Sequence, residues 1–181
     1  HGELLAIGAF IFLVLAAWAN LPIWLSFLIT IIGSFAVGFV IERLFLRPLI
    51  GEALIEVIML TVGLAAMFKG IMLFIFGGNL HYYPDFLPKN LTIQLGTINI
   101  PPVYVATFVI GLIFLVIFGL FFKYSSQGIY MRSVADNQPA ALSLGVHVRR
   151  VFALSWAIAA LVCGMSGIIL GIINGINVHN L

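Results

Sequence analysis

Charge is what this sequence has least of. Charged residues make up 8% of the 181 positions and hydrophobic residues 63%. A soluble globular domain carries about a quarter of its residues charged. Without that charge the chain cannot cover a water-facing surface, and its mean hydropathy of +1.22 points to lipid as the solvent. Cysteine is nearly absent as well, since Cys163 stands alone and excludes a disulfide framework within the chain. The histidines His1, His81, His147 and His179 fall in separate segments, so no metal site is expected. No nucleophile–base pair stands out, and there is no G-x-x-x-x-G-K-[ST] phosphate loop. The chain therefore reads as no enzyme, with no cofactor of its own. The net charge of +2 carries little weight, and no nucleic-acid partner is expected. No basic stretch followed by a small-residue cleavage site is visible, so no signal peptide is read. With His1 leading straight into an apolar run, the chain is expected to be an internal fragment, or to lack its ends.

What is present is long apolar runs. A membrane-crossing helix needs roughly 20 apolar residues at about 1.5 Å rise each. Five segments are predicted to be membrane-embedded helices: 4–18, 23–41, 53–76, 101–122 and 151–173. No charge interrupts the chain from Leu4 to Ile41, and Asn20 and Pro22 divide that stretch into its two helices. The expected fold class is all-α, a polytopic transmembrane helix bundle forming a single domain over 1–181. The first segment is too short to cross alone.

Charge sorts the connections. Arg43 and Arg47 lie between the second and third helices, and Lys123, Arg132, Arg149 and Arg150 between the fourth and fifth. Two spans separate these connections, so both lie on one side. That side holds six of the eight Lys and Arg residues, which makes it cytoplasmic by the positive-inside rule. The outer side then receives residues 20–22, the 77–100 loop with Asp85 and Lys89, and residues 174–181.

Small residues recur at helical spacing. Thr30, Ser34 and Gly38 share one face of the second helix; Cys163, Gly167, Gly171 and Gly175 share one face of the fifth. Burial of apolar surface gains nothing in lipid, so such faces serve close backbone packing. Helix packing is preferred here to a pore lining for Ser34, Gly38, Gly167 and Gly171.

The most informative polar stretch is 123–150. Asp136, Asn137 or Gln138 can cap a helix whose first turn holds Pro139, and Gly145 can close it in the left-handed conformation. A helix of about two turns at the cytoplasmic surface follows. It serves either as an amphipathic connector held by lipid headgroups or as a docking element for a cytoplasmic partner.

The run Arg132-Ser-Val-Ala135-Asp-Asn-Gln-Pro-Ala140-Ala141-Leu-Ser-Leu-Gly145-Val resembles the cytoplasmic coupling segment of branched-chain amino acid ABC transporter permeases, which carry an R-A-V-A-x-x-x-x-A-A-x-x-x-G-I pattern. His1-Gly2-Glu3 is similar to the end of that family's N-F-A-H-G-E segment. Glu42-Arg43-Leu-Phe-Leu-Arg47-Pro48-Leu49 is similar to its E-R-x-x-x-R-P-L motif. Helix 151–173, with Gly164 and Gly167, fits the small-residue helix that follows. The sequence departs from the pattern at Ser133 and at Asn137-Gln138-Pro139, where partner contacts would be affected.

The resemblance spans the whole chain and implies the transmembrane subunit of an ATP-driven importer. This would work by alternating access in the cytoplasmic (inner) membrane of a prokaryote. ATP-binding cassette subunits would dock inside on the coupling segment 132–150, at Arg132, Ala135, Ala140, Ala141 and Gly145, and would use the ATP. A second permease subunit, identical or homologous, would complete the dimer, and an extracytoplasmic binding protein would deliver substrate. Urea importers use closely similar permeases, so the cargo stays open. An autonomous channel or secondary transporter is the alternative from another class, though the chain offers only Lys69 and Glu3 as ionisable groups at depth.

The short first helix, opening after His1-Gly2-Glu3, reads as the second half of a broken helix. A half-helix that starts at mid-membrane directs free N–H groups and a positive dipole end inward, which suits a carboxylate. Gly2 and Glu3 are therefore expected near the translocation path; the plain alternative is a solvated Glu3. Arg47-Pro48 is expected to end the second helix, with Arg43 and Arg47 holding headgroups or Glu42 and Glu52. Lys69 is expected to snorkel, or else to enter an ion pair. Residues 91–95 and 97–100 alternate in polarity around Gly96, predicting a short hairpin. Tyr82 and Tyr83 are expected to anchor that loop at the outer interface, where it either receives a binding protein or acts as a passive cap.

Overall fold

The computed structural model describes residues 2–84, 93–95 and 98–178, the two strands as backbone. His1, Asp85, Lys89, Leu91, the turn expected at Gly96 and His179 lie outside the described residues. The chain forms helices α1 (Gly2–Leu13), α2 (Ile23–Ile41), α3 (Leu54–Phe76), α4 (Pro102–Tyr124), α5 (Ser126–Asp136), α6 (Gln138–Ser143) and α7 (Val148–Asn174). Strands β1 (Ile93–Leu95) and β2 (Ile98–Ile100) form an antiparallel pair with Gln94 opposite Asn99, so the expected hairpin is present. Among the described residues four helices are long and apolar enough to cross a membrane, and Gly2–Trp18 is a shorter apolar helix. The fold is polytopic and α-helical, with one small hairpin.

Local chemistry accounts for the helix ends. α1 runs on through a π turn, Val14–Trp18, and stops where Asn20 takes φ +51°, a left-handed conformation that asparagine tolerates. Pro22 then opens α2 in extended geometry. α2 does not stop at Arg47-Pro48 as expected. It continues through a π turn, Glu42–Leu46, and a 3-10 turn, Arg47–Leu49, and ends where Ile50 becomes extended. Pro48 lacks the N–H that an α-helical ladder needs, and these altered turns re-route the ladder around it. α3 ends at Gly77, with φ +72°. Pro102 opens α4 as its first helical residue.

The chain divides into two compact units, His1–Pro84 with Phe152–Leu181, and Asp85–Val151. In the first, α1 is the innermost element: Leu4, Ala6, Gly8, Ala9, Phe10, Phe12 and Leu13 are buried, on every side of the helix. Glycines make this burial feasible. A β-carbon on Gly8 would overlap Gly164, one on Gly167 would overlap the Leu5 carbonyl, and one on Gly38 would overlap Ala160 and lie 2.5 Å from the Trp156 carbonyl oxygen. A β-carbon on Gly164 would meet Ser34. Since Ser34 faces Gly164 and Gly38 faces Ala160 and Trp156, α7 runs antiparallel to α2. A β-carbon on Gly171 would come within 2.8 Å of the Tyr83 ring and hydroxyl.

At the other end of this unit, the His81 and Ile176 backbones exchange hydrogen bonds of 2.9 and 2.8 Å. Phe10 stacks on Phe76 with ring centroids 4.2 Å apart. Tyr82 is exposed, as an interface anchor should be, but Tyr83 is not: it is 9% exposed. Its O–H donates to the Ala9 carbonyl at 3.0 Å, and its ring meets Phe12 edge-on at 4.9 Å. The α1 backbone offers an acceptor that lipid headgroups would otherwise supply.

Burial pushes the Tyr83 phenol above the usual tyrosine range. An unfolded tyrosine ionises near pH ~10 while the folded one keeps its proton, so this contribution to stability is complete below about pH 10 and falls as pH rises past it. Tyr83→Phe is expected to cost about 0.5–1.5 kcal/mol at neutral pH. It should also flatten the alkaline decline, as read from thermal unfolding in detergent between neutral pH and pH ~11. An equally steep decline in the variant would show that another group causes it.

Candidate coupling surface and translocation elements

In the second unit α4 ends at Tyr124, and one residue later Ser125 caps α5 by accepting from the Gln127 N–H at 3.2 Å. Residues 126–136, expected to be loop, are helix. Gly128 explains why: a β-carbon there would come within 2.8 Å of the Phe121 carbonyl oxygen, so α5 folds back tightly on the last turn of α4. α5 buries Gly128, Met131 and Val134 on one face and exposes Arg132, Ala135 and Asp136 on the other. This period of three was available in the sequence, but the polar residues between the apolar ones masked it.

Asn137 then caps α6, its side-chain oxygen accepting from the Ala140 N–H at 3.0 Å, with Pro139 in the first turn. The other end closes with a paired motif. The Gly145 N–H donates to Leu142 and the Val146 N–H to Ala141, each at 3.0 Å, while Gly145 takes φ +82°. Of the five residues expected at a coupling surface, Arg132, Ala135, Ala140 and Gly145 are exposed, whereas Ala141 is buried beneath α6. The sequence reading missed Leu142 and Leu144, large apolar side chains 54% and 82% exposed beside Ala140 and Gly145. Exposed leucines on a short polar connector mark a surface that something covers.

At the other candidate site, Gly2 is exposed and Glu3 half-buried in the first turn of α1. Leu4, one residue on, joins an apolar cluster with Ile41 and Leu46 from the end of α2 and the turn after it, Leu64 of α3 and Ala160 of α7. Ser26, Thr30, Ser34 and Glu42 form a buried polar line along α2, with Gly38 between them. The Thr30 hydroxyl donates to the Ser26 carbonyl at 2.7 Å. The Ser34 hydroxyl and Glu42 Oε1 have no hydrogen-bond partner among the described residues. Among the described residues no hydrogen bond or ion pair joins Glu42 to Arg43 or Arg47, both of which are exposed. Lys69 is half-buried on α3. No group of three metal-ligating side chains occurs among the described residues.

Four helices of membrane length, a buried short helix and a capped helix pair between two spans define a multi-pass α-helical membrane protein. The chain belongs to the branched-chain amino acid transport system / permease component family, whose family model matches residues 1–180. It is similar to the high-affinity branched-chain amino acid transport system permease protein BraD of Pseudomonas aeruginosa, with 27% identity over 187 aligned positions. It is likewise similar to the LivH permease proteins of Salmonella typhimurium, at 25%, and Escherichia coli K12, at 23%. Each match covers 97% of this chain and 61% of the relative, so the chain spans well under two thirds of their length. No solved structure matches it significantly.

Proposed function

We propose that this chain is part of the transmembrane permease subunit of an ATP-driven importer for branched-chain or related amino acids, in the cytoplasmic membrane of a prokaryote. The observation that carries the reading is the family match across residues 1–180. The chain would supply one half of a permease dimer, its partner a second copy or a homologue. A binding protein outside would hand over substrate, and separate ATP-hydrolysing subunits would dock inside. Residues 132–150 are the coupling segment: Arg132, Ala135, Ala140 and Gly145 meet the ATPase, and Ala141 seats α6. The exposed Leu142 and Leu144 support a covered surface there. Closure of the ATPases on nucleotide would move this segment and rock the helices between outward- and inward-open states. Gly2 and Glu3 open a half-helix facing the substrate path. The burial of α1 on every side supports its place inside the bundle.

The test is co-purification of the complete protein with its ATPase subunits, followed by uptake in proteoliposomes. Gly145→Asp is expected to abolish pairing. Nothing lies within 4 Å of the added β-carbon, and Asp shares with Asn some tolerance of φ +82°, so the damage comes chiefly from the new charge. Gly145→Asn, which tolerates that φ without charge, should retain most pairing. Glu3→Gln should pair normally but slow uptake at least several-fold. Absence of any ATPase association in the unaltered protein would overturn the importer reading.

A further inference from the structure

A cleft of about 270 Å³ opens beside the coupling segment, within the second unit. This is slightly below the roughly 300–1,000 Å³ of small-molecule sites, a size suited to one headgroup. Its polar side chains are Gln127 and Tyr130 from α5, His147 just before α7 and Arg150 from its first turn. All four can donate hydrogen bonds, one is a fixed cation, and among the described residues no carboxylate lines the cleft. The first turn of α7 adds the positive end of a 27-residue helix dipole. Such a lining selects an oxyanion, and Arg150 offers the planar fork that matches phosphate.

The position of the cleft names the source. α4 ends at Tyr124, where Lys123 lies 5.3 Å from the Tyr124 ring centre, a pairing typical of the headgroup layer. Gln127 follows only three residues later, and Gly128 pins α5 against the end of α4. On the other side, α7 is about 40 Å long at 1.5 Å per residue, against a hydrocarbon core of about 30 Å. Its first turns, with Arg149 and Arg150, therefore fall in the headgroup layer. Val146 and Val151 line the cleft beside these polar groups and give it an apolar wall.

We propose that the cleft between α5 and the start of α7 binds the phosphate of an anionic phospholipid, with Arg150 as its principal contact. The bound headgroup would brace the coupling segment from the membrane side. This rests on the reading that places residues 126–151 on the cytoplasmic side.

The test is native mass spectrometry of the complete protein, alone and with its ATPase subunits, released from nanodiscs of mixed phosphatidylglycerol and phosphatidylcholine. The unaltered protein should retain phosphatidylglycerol selectively. Arg150→Gln, or Gln127→Glu placing a carboxylate in the cleft, should each weaken that retention about tenfold, as expected for one charge-assisted contact. Both side chains are exposed, so neither change threatens folding. Retention unchanged in both variants would overturn the proposal. Displacement of the lipid by millimolar inorganic phosphate would replace the lipid with a free anion. Unchanged lipid together with loss of the ATPase subunits in Arg150→Gln would assign the cleft to an acidic protein partner instead. Because lipid retention is also measured on the permease alone, failure of the importer reading would leave this result interpretable.

Discussion

Gly167→Leu is expected to leave little or no correctly folded protein, while Gly111→Leu, an identical change on another membrane helix, should be tolerated. A β-carbon on Gly167 would overlap the Leu5 carbonyl and lie 3.1 Å from the Ala9 nitrogen. The atoms in the way are backbone, so no rotamer change relieves the clash, and α1 would have to leave α7. Overpacking a core costs about 1–3 kcal/mol where side chains can yield; here the cost should exceed about 3 kcal/mol. Around Gly111 nothing lies within 4 Å, and no residue of α4 is buried. There leucine removes the helix penalty of glycine, a gain of up to about 1 kcal/mol. Fluorescence-detected size exclusion after heating reads both. A wild-type melting temperature in Gly167→Leu would refute the packing of α1 against α7.

Glu42→Met should stabilise the protein. Glu42 is 1% exposed, and its Oε1 has no hydrogen-bond partner among the described residues. An unsatisfied buried polar group costs about 1–3 kcal/mol, which methionine, flexible and of similar length, would recover. The melting temperature should rise by several degrees, and Glu42→Gln, which keeps a polar group in the same place, should change it little. Marked destabilisation in Glu42→Met would mean that the carboxyl is paired in the complete assembly, through a group outside the described residues.

These two results separate what patterning conveys from what packing conveys. The α6 cap was legible because its chemistry is local: Asn137 accepts from a residue three positions on, and Gly145 alone adopts φ +82° without strain. The hairpin was legible from its alternation, and four membrane-length helices from run length. Pro48 misled because the rule that proline ends a helix assumes an α ladder, and this chain changes ladder at Glu42. α5 was missed because its apolar period spans only a few turns.

The sequence alone determined the solvent, the four membrane-length helices, the clustering of basic residues in two connections, and the family resemblance. All of these follow from composition or from contacts a few residues apart. Only the tertiary structure decided which apolar helix is interior. α1 and α4 are equally free of charge along their apolar lengths, yet α1 is buried on every side and α4 has no buried residue. The reason is physical. In water, a helix facing solvent differs in composition from one facing protein; in lipid, both neighbours are hydrocarbon, and hydropathy no longer tells them apart. Which glycine meets which backbone, which tyrosine turns inward and which carboxylate is sealed from solvent depend on that choice.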